Sequence, residues 1–298
     1  MVEFSYFLGI DQTGAATAQG QRAKPLKACL IKKTKTKWRV FTHLDSRPLS
    51  IESLTLSSLK TFLRHFDLRW PVPGLAIIAD CVLGIPDVLP IEEDLRTNNF
   101  VPVWNLLNQA HDFEYQNAKY GREVAEKFFS RFLSGSIQIP KRQCEIVSGS
   151  NSLFTNRPFQ KNIQTGSYRI WKDLTQNSKN QWLNIWPFNS PKNFDPKAPW
   201  LFESYPSLMW KEILGIRGRN SKKLIGKLQT KRFQSTFLFD SFSALSSDPD
   251  LCDALVLALS GAILQEEKHL ITPFPKFWEM PCLRQEGWIC GLRVHSHI

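Results

Sequence analysis

The chain has 298 residues, 42% of them hydrophobic and 22% charged, which suits a globular protein able to bury a substantial core. Its 38 Lys+Arg outweigh 27 Asp+Glu, and a net charge of +11 favours an anionic partner, nucleic acid first, through counterion release. The six scattered cysteines form no CxxC pair, so zinc-site spacing is absent and nothing suggests a disulfide framework, and no apolar run approaches the ~18 residues of a membrane span.

The opening MVEFSYFLGID has an early acid and no basic flank, so it reads as a strand over 4–10 rather than a signal peptide. The expectation is a cytoplasmic protein with reduced thiols and no membrane partner. Residues 26–33 and 37–44 alternate as strands of one meander. Leu54, Leu56, Leu59, Phe62, Leu63 and Phe66 have helical spacing over 50–66. LAIIAD (75–80) reads as a short buried strand, and 84–110 as an irregular Pro- and Asn-rich stretch. A helix is expected over 122–133 with Gly135 as its C-cap. Residues 141–199, rich in Asn, Gln, Ser and Trp, resist assignment, and 90–198 reads as an insert or elaboration within a single domain, 1–298.

The pattern resumes with a strand over 199–204 and a helix from Pro206 to about Leu214. A basic segment, 217–232, follows, then an ambiguous 233–240. The last helix, 249–265, is apolar on nearly every side. Asp248 suits its N-cap, and Ala254, Ala258 and Ala262 offer a face that can approach a sheet closely.

Five acids interrupt these apolar segments: Asp11, Asp80, Glu203, Asp250 and Asp253. An acid at the end of a buried strand is costly unless a cation meets it. Two such charges ~4 Å apart repel by roughly 4 kcal/mol at an effective dielectric of 20. Convergence of all five would make a bound divalent metal the simplest reason for tolerating them. Asp250 alone could merely complement the helix dipole, whereas Asp253 sits among apolar neighbours.

The motifs resemble a domain-of-unknown-function family described as nucleases with an RNase H-like fold. The resemblance rests on Asp11 in GIDQTGA, on DCVLGIP (80–86) with Val82 where Pro is usual, and on ESYP (203–206). It continues through Ser221, Lys222 and Lys223, the Asp-x-x-Asp-Ala-Leu of 250–255, and EGWI (286–289) without its usual following Pro. The Asp pair three apart on the last helix is also similar to RuvC-type resolvases.

The resemblance implies an α/β fold: a mixed five-stranded sheet of order 3-2-1-4-5, its first three strands antiparallel, flanked by helices. It also implies two Mg²⁺ or Mn²⁺ ions, with Asp11, Asp80, Asp253 and Glu203 as ligands and Asp250 as a ligand or water-positioning group. Oxygen-only ligands suit those hard ions. Nucleic acid is expected along the basic segment, at Arg219, Lys222, Lys223 and Lys227. Trp171, Trp182, Trp186 and Trp200, interleaved with Arg157, Lys161, Arg169, Lys172 and Lys192, could stack bases or pack a core.

Two other readings stay open at this stage. GIDQTG imitates the phosphate hairpin of actin-like ATP-binding enzymes, although only one such set is present. A non-catalytic nucleic-acid-binding protein would also fit the charge. No P-loop, dinucleotide fingerprint or serine-hydrolase elbow occurs.

Overall fold

The structure, a computed structural model, describes residues 3–12, 25–45, 47–89, 106–110, 121–133, 138–155, 163–175, 182–189, 194–270 and 286–292. The expectations for Gly135, Arg157, Lys161, Lys192 and most of 84–110 fall outside the described residues.

The chain is α/β. Among the described residues the main sheet has eight strands, not five. β1 (Tyr6–Asp11), β2 (Leu26–Lys33) and β3 (Trp38–Phe41) form an antiparallel meander. β7 (Leu75–Asp80), β9 (Trp200–Ser204) and β8 (Asn184–Trp186) extend the other side of β1 in parallel. β10 (Phe237–Phe239) adds a parallel edge beyond β3, and β6 (Ser50–Ile51) pairs with β2. The order is therefore β10-β3-β2-β1-β7-β9-β8.

Several boundaries differ from the sequence reading. The third strand ends at Phe41, because His43–Leu44 (β4) turns back through Asp45, at φ 48°, to pair with Arg47–Pro48 (β5). The first helix is α1, Leu56–Arg64, and begins late because Thr55 caps it by accepting from Ser58 N–H. The ambiguous 233–240 divides between helix α7 (Lys231–Thr236) and strand β10, where apolar residues become consecutive, and a short α8 (Ser243–Ser247) follows.

The described parts of 141–199 pack around the core. α2 (Gly121–Ser130) brings Phe128 and Phe129 against Tyr168 and Trp171 of α4 (Ile163–Thr175). Trp171 Nε1 donates to the Val82 carbonyl at 2.6 Å, which fixes α4 against the turn after β7. Trp171, Trp182, Trp186 and Trp200 are all buried, so base stacking on them is replaced by core packing.

The final helix, α9 (Pro249–Glu266), covers β1, β2 and β7. Asp248 caps it by accepting from Leu251 N–H at 3.0 Å, and its other oxygen meets Lys27 Nζ of β2 at 2.7 Å. A Cβ on Gly9 would lie 2.0 Å from the Ala254 carbonyl oxygen and 2.6 Å from Ala258 N. Glycine on the strand and alanines on the helix are what this approach permits. No helix among the described residues is long and apolar enough to cross a membrane; the apolar surface of α9 is spent on the sheet.

Asp173 of α4 accepts from Leu54 N–H at 2.9 Å, and burial pushes its carboxyl up to about 6 despite that bond and the nearby Arg169. A carboxyl raised in the folded state stabilises fully below the unfolded value and loses that contribution as pH rises through about 6. Asp173→Asn keeps an acceptor without a charge. Its stability relative to the parent should grow between pH 4 and 7, by at most about 3 kcal/mol. Urea denaturation of both proteins across that range measures it; a constant difference would count against the assignment.

Candidate functional site

The pleat sorts the acids. Gly9 faces α9, so Asp11, two residues on, faces it too. Ile10 pairs with Ala79, which sets Asp80 beside Asp11 on that face, and Asp80 in turn pairs with Ser204. Asp250 and Asp253 come down onto the same edge from the first turns of α9. Asp11 and Asp253 are buried, Asp80 and Asp250 half-buried.

The electrostatics register the crowding. Burial holds the Asp11 carboxyl well above the usual carboxylate range, and the charges of Asp80, Asp253 and Asp250 push it further; Arg219 acts in the opposite sense. Trp210 Nε1, from α5 (Pro206–Glu212), donates to Asp253 Oδ1 at 2.7 Å. Arg219 Nη1 stands 2.8 Å from Asp253 Oδ2. Asp11, Asp80 and Arg219 line a cleft of about 410 Å³ together with Gln12, Tyr205 and Lys211, among others, whereas Asp250 and Asp253 lie outside its lining. Gln12 enters it through the space left at Gly166 of α4, where a Cβ would lie 1.9 Å from Gln12 Oε1.

Glu203 is not brought into this group. It pairs with Ala79 rather than Asp80, and the pleat turns it to the opposite face. There the Arg142 guanidinium grips both its oxygens, and Leu83 N–H donates to Oε2 at 2.8 Å. Arg142, fully buried just before α3 (Gln143–Ser148), also donates to Glu145 Oε1, the Tyr205 hydroxyl and the Glu286 carbonyl. Glu286 accepts from Asp87 and Gln143 N–H at 3.0 and 2.7 Å. Glu203 thus belongs to a closed polar network, in place of its expected role as a ligand. Tyr205 and Glu286 lie in two of the motifs named above, so the sequence carried a signal for them; Arg142 carried none.

The basic segment divides as well. Arg219 and the exposed Lys222, on α6 (Ser221–Leu228), share a second cleft beside the acids. Lys223 is exposed outside it, and Lys227 lies in a separate depression with Arg232, Glu266 and Glu267.

The donor set fits a hard divalent cation, being carboxylate oxygens in mutual repulsion. As the side chains lie, however, no three His, Cys, Asp or Glu among the described residues stand together closely enough to hold a metal ion. Trp210 hydrogen-bonds one oxygen of Asp253, and the other stands in ion-pair contact with Arg219 without hydrogen-bond geometry. Compared with protein-family models, curated proteins and solved structures, the chain matches none.

The two kinds of acid should respond oppositely to neutralisation. Asp11→Asn removes a charge that burial and three acids oppose, and should raise stability at pH 7 by roughly 1 kcal/mol or more, about 2–4 °C in Tm. The gain should vanish towards pH 3, where Asp11 is protonated in both folded and unfolded chains. Glu203→Gln leaves Arg142 short of a counter-charge and should cost about 3–5 kcal/mol. Thermal melts of the two variants beside the parent check both signs.

Proposed function

We propose that this chain is a metal-dependent phosphodiesterase acting on DNA or RNA, with β3, β2, β1, β7 and β9 as an RNase H-like core. The antiparallel trio continued by two parallel strands supports that core. The observation that carries the activity is the crowding of Asp11, Asp80, Asp250 and Asp253, from three distant segments, at the C-terminal ends of β1 and β7 beside Arg219. Buried like charges are expensive, and a fold that assembles them needs a cation to use them.

Asp11, Asp80, Asp250 and Asp253 would hold Mg²⁺ or Mn²⁺. Such ions, when bound, supply an activated water and charge stabilisation at the leaving oxygen of a phosphodiester. The protein's own groups do the rest. Trp210 fixes the orientation of Asp253, and Lys211, Arg219 and Lys222 draw the phosphate backbone to the cleft. Gln12 offers a carboxamide beside Asp11 that can orient a water or a phosphate oxygen.

Labelled single- and double-stranded DNA and RNA incubated with Mg²⁺ or Mn²⁺ should be cleaved, and EDTA should stop it. Asp11→Asn and Asp253→Asn should each lower the rate at least about a hundredfold. Undiminished turnover in both variants would remove the mechanism. Lys222→Glu with Lys223→Glu should weaken binding and flatten its salt dependence by about one unit of slope per lost phosphate contact.

A further inference from the structure

Arg219 belongs to two clefts at once. In the first it stands with Asp11 and Asp80. In the second, of about 480 Å³, it is joined by Asn220, Ser221, Lys222, Ser246 and Ser247. The described lining of this second cleft carries two cationic side chains and three hydroxyls but no carboxylate. That combination suits a phosphate group, for which a guanidinium is a bidentate partner.

Its partnership with Asp253 is asymmetric. The Asp253 side chain is 1% exposed and that of Arg219 40% exposed. Asp253 keeps the Trp210 bond when the guanidinium leaves, so the carboxylate holds its place. Arg219 follows two left-handed turns, Gly215 and Gly218 having φ of +65° and +75°, and nothing lies within 4 Å of where a Cβ would stand on either.

We infer that Arg219 exchanges partners. It neutralises Asp253 while no substrate is present, and swings to a backbone phosphate seated in the second cleft, leaving Asp253 open to a divalent cation. This rests on the reading of the four aspartates as a cation site given under the proposed function. Arg219 and the cation then compete for one carboxylate, and a polyanion relieves the competition. Polyanion and cation binding are therefore positively coupled, each tightening the other by the same factor.

Mn²⁺ binding to the full chain, followed by calorimetry and by the resonance of free Mn²⁺ at fixed ionic strength, tests the exchange. A short phosphorothioate oligothymidylate serves as the polyanion. The parent protein should bind Mn²⁺ about tenfold more tightly in its presence. Arg219→Ala should show the tighter binding from the start and gain nothing from the oligonucleotide. Arg219→Lys, which keeps the charge, should bind Mn²⁺ weakly until the oligonucleotide is added. Arg217, exposed two residues away and outside both clefts, provides the control for general charge, and Arg217→Ala should leave Mn²⁺ affinity near that of the parent.

Equal affinity in Arg219→Ala and the parent overturns the exchange. So does an equal gain in Arg217→Ala, an oligonucleotide without effect on the parent, or no Mn²⁺ binding by any form. The nuclease reading fails separately. The expected Mn²⁺ pattern without any cleavage would sink that reading alone, and cleavage with equal Mn²⁺ affinities would sink the exchange alone.

Discussion

The approach of α9 to β1 governs the geometry of everything at the sheet edge. At Gly9 the helix backbone lies where a strand side chain would otherwise be, and Ala254 and Ala258 are the helix residues that meet it. Two residues along the strand stands Asp11; one residue back along the helix stands Asp253. The contact that closes the core therefore also drives the acids together. Asp248 strengthens the arrangement by capping the helix and reaching Lys27, which pairs with Asp11 across the sheet. The first turn of α9 cannot fray away from the strand without losing both bonds. The fold thus sustains a local electrostatic conflict through strong packing nearby, the pattern expected where a site is preserved at some cost to stability.

A single step along a strand decides what an acid does here. Asp80 and Glu203 lie on adjacent parallel strands, yet Asp80 pairs with Ser204 and Glu203 with Ala79. Side chains alternate between faces, so one acid joins Asp11 under α9 and the other points to the opposite layer. On that layer a full set of donors meets it. The Arg142 network joins β9, the turn after β7, the start of α3 and the segment at Glu286 through five buried polar side chains.

Much of this was legible in the sequence, and the failures have physical causes. β1, β2, β7, β9 and α9 are long, strongly apolar and punctuated by their acids and caps, so period and boundary agree. β8 and β10 have three residues each, too few for any period to show. α4 hides because it buries Gln164, Thr165, Gly166 and Ser167, polar or small residues that no hydrophobic pattern marks. The tryptophans were ambiguous because an aromatic ring serves a core or a nucleobase equally well until its exposure is known. Glu203 reads from sequence as part of the acid cluster because facing depends on register, and register depends on pairing between segments 124 residues apart. Arg142 was invisible for a related reason: its partners at Glu203 and Glu286 lie 61 and 144 residues away.

Two of the arginine–carboxylate pairs illustrate how burial divides structure from exchange. Arg142 and Glu203 are both enclosed, and Arg142 spends its donors on four partners, so separating them would strand charge in a dry interior. Arg219 and Asp253 differ at one end only. The carboxylate is enclosed, but the guanidinium is open to water and has a cationic, hydroxyl-lined cleft beside it. Withdrawing Arg219 costs little on the arginine's side, since solvent or a phosphate can take its donors. It costs more on the side of Asp253, whose nearby acids then press on one another. The free energy of that unbalanced state lies almost wholly in the carboxylates, and they are the groups with which a divalent cation would interact.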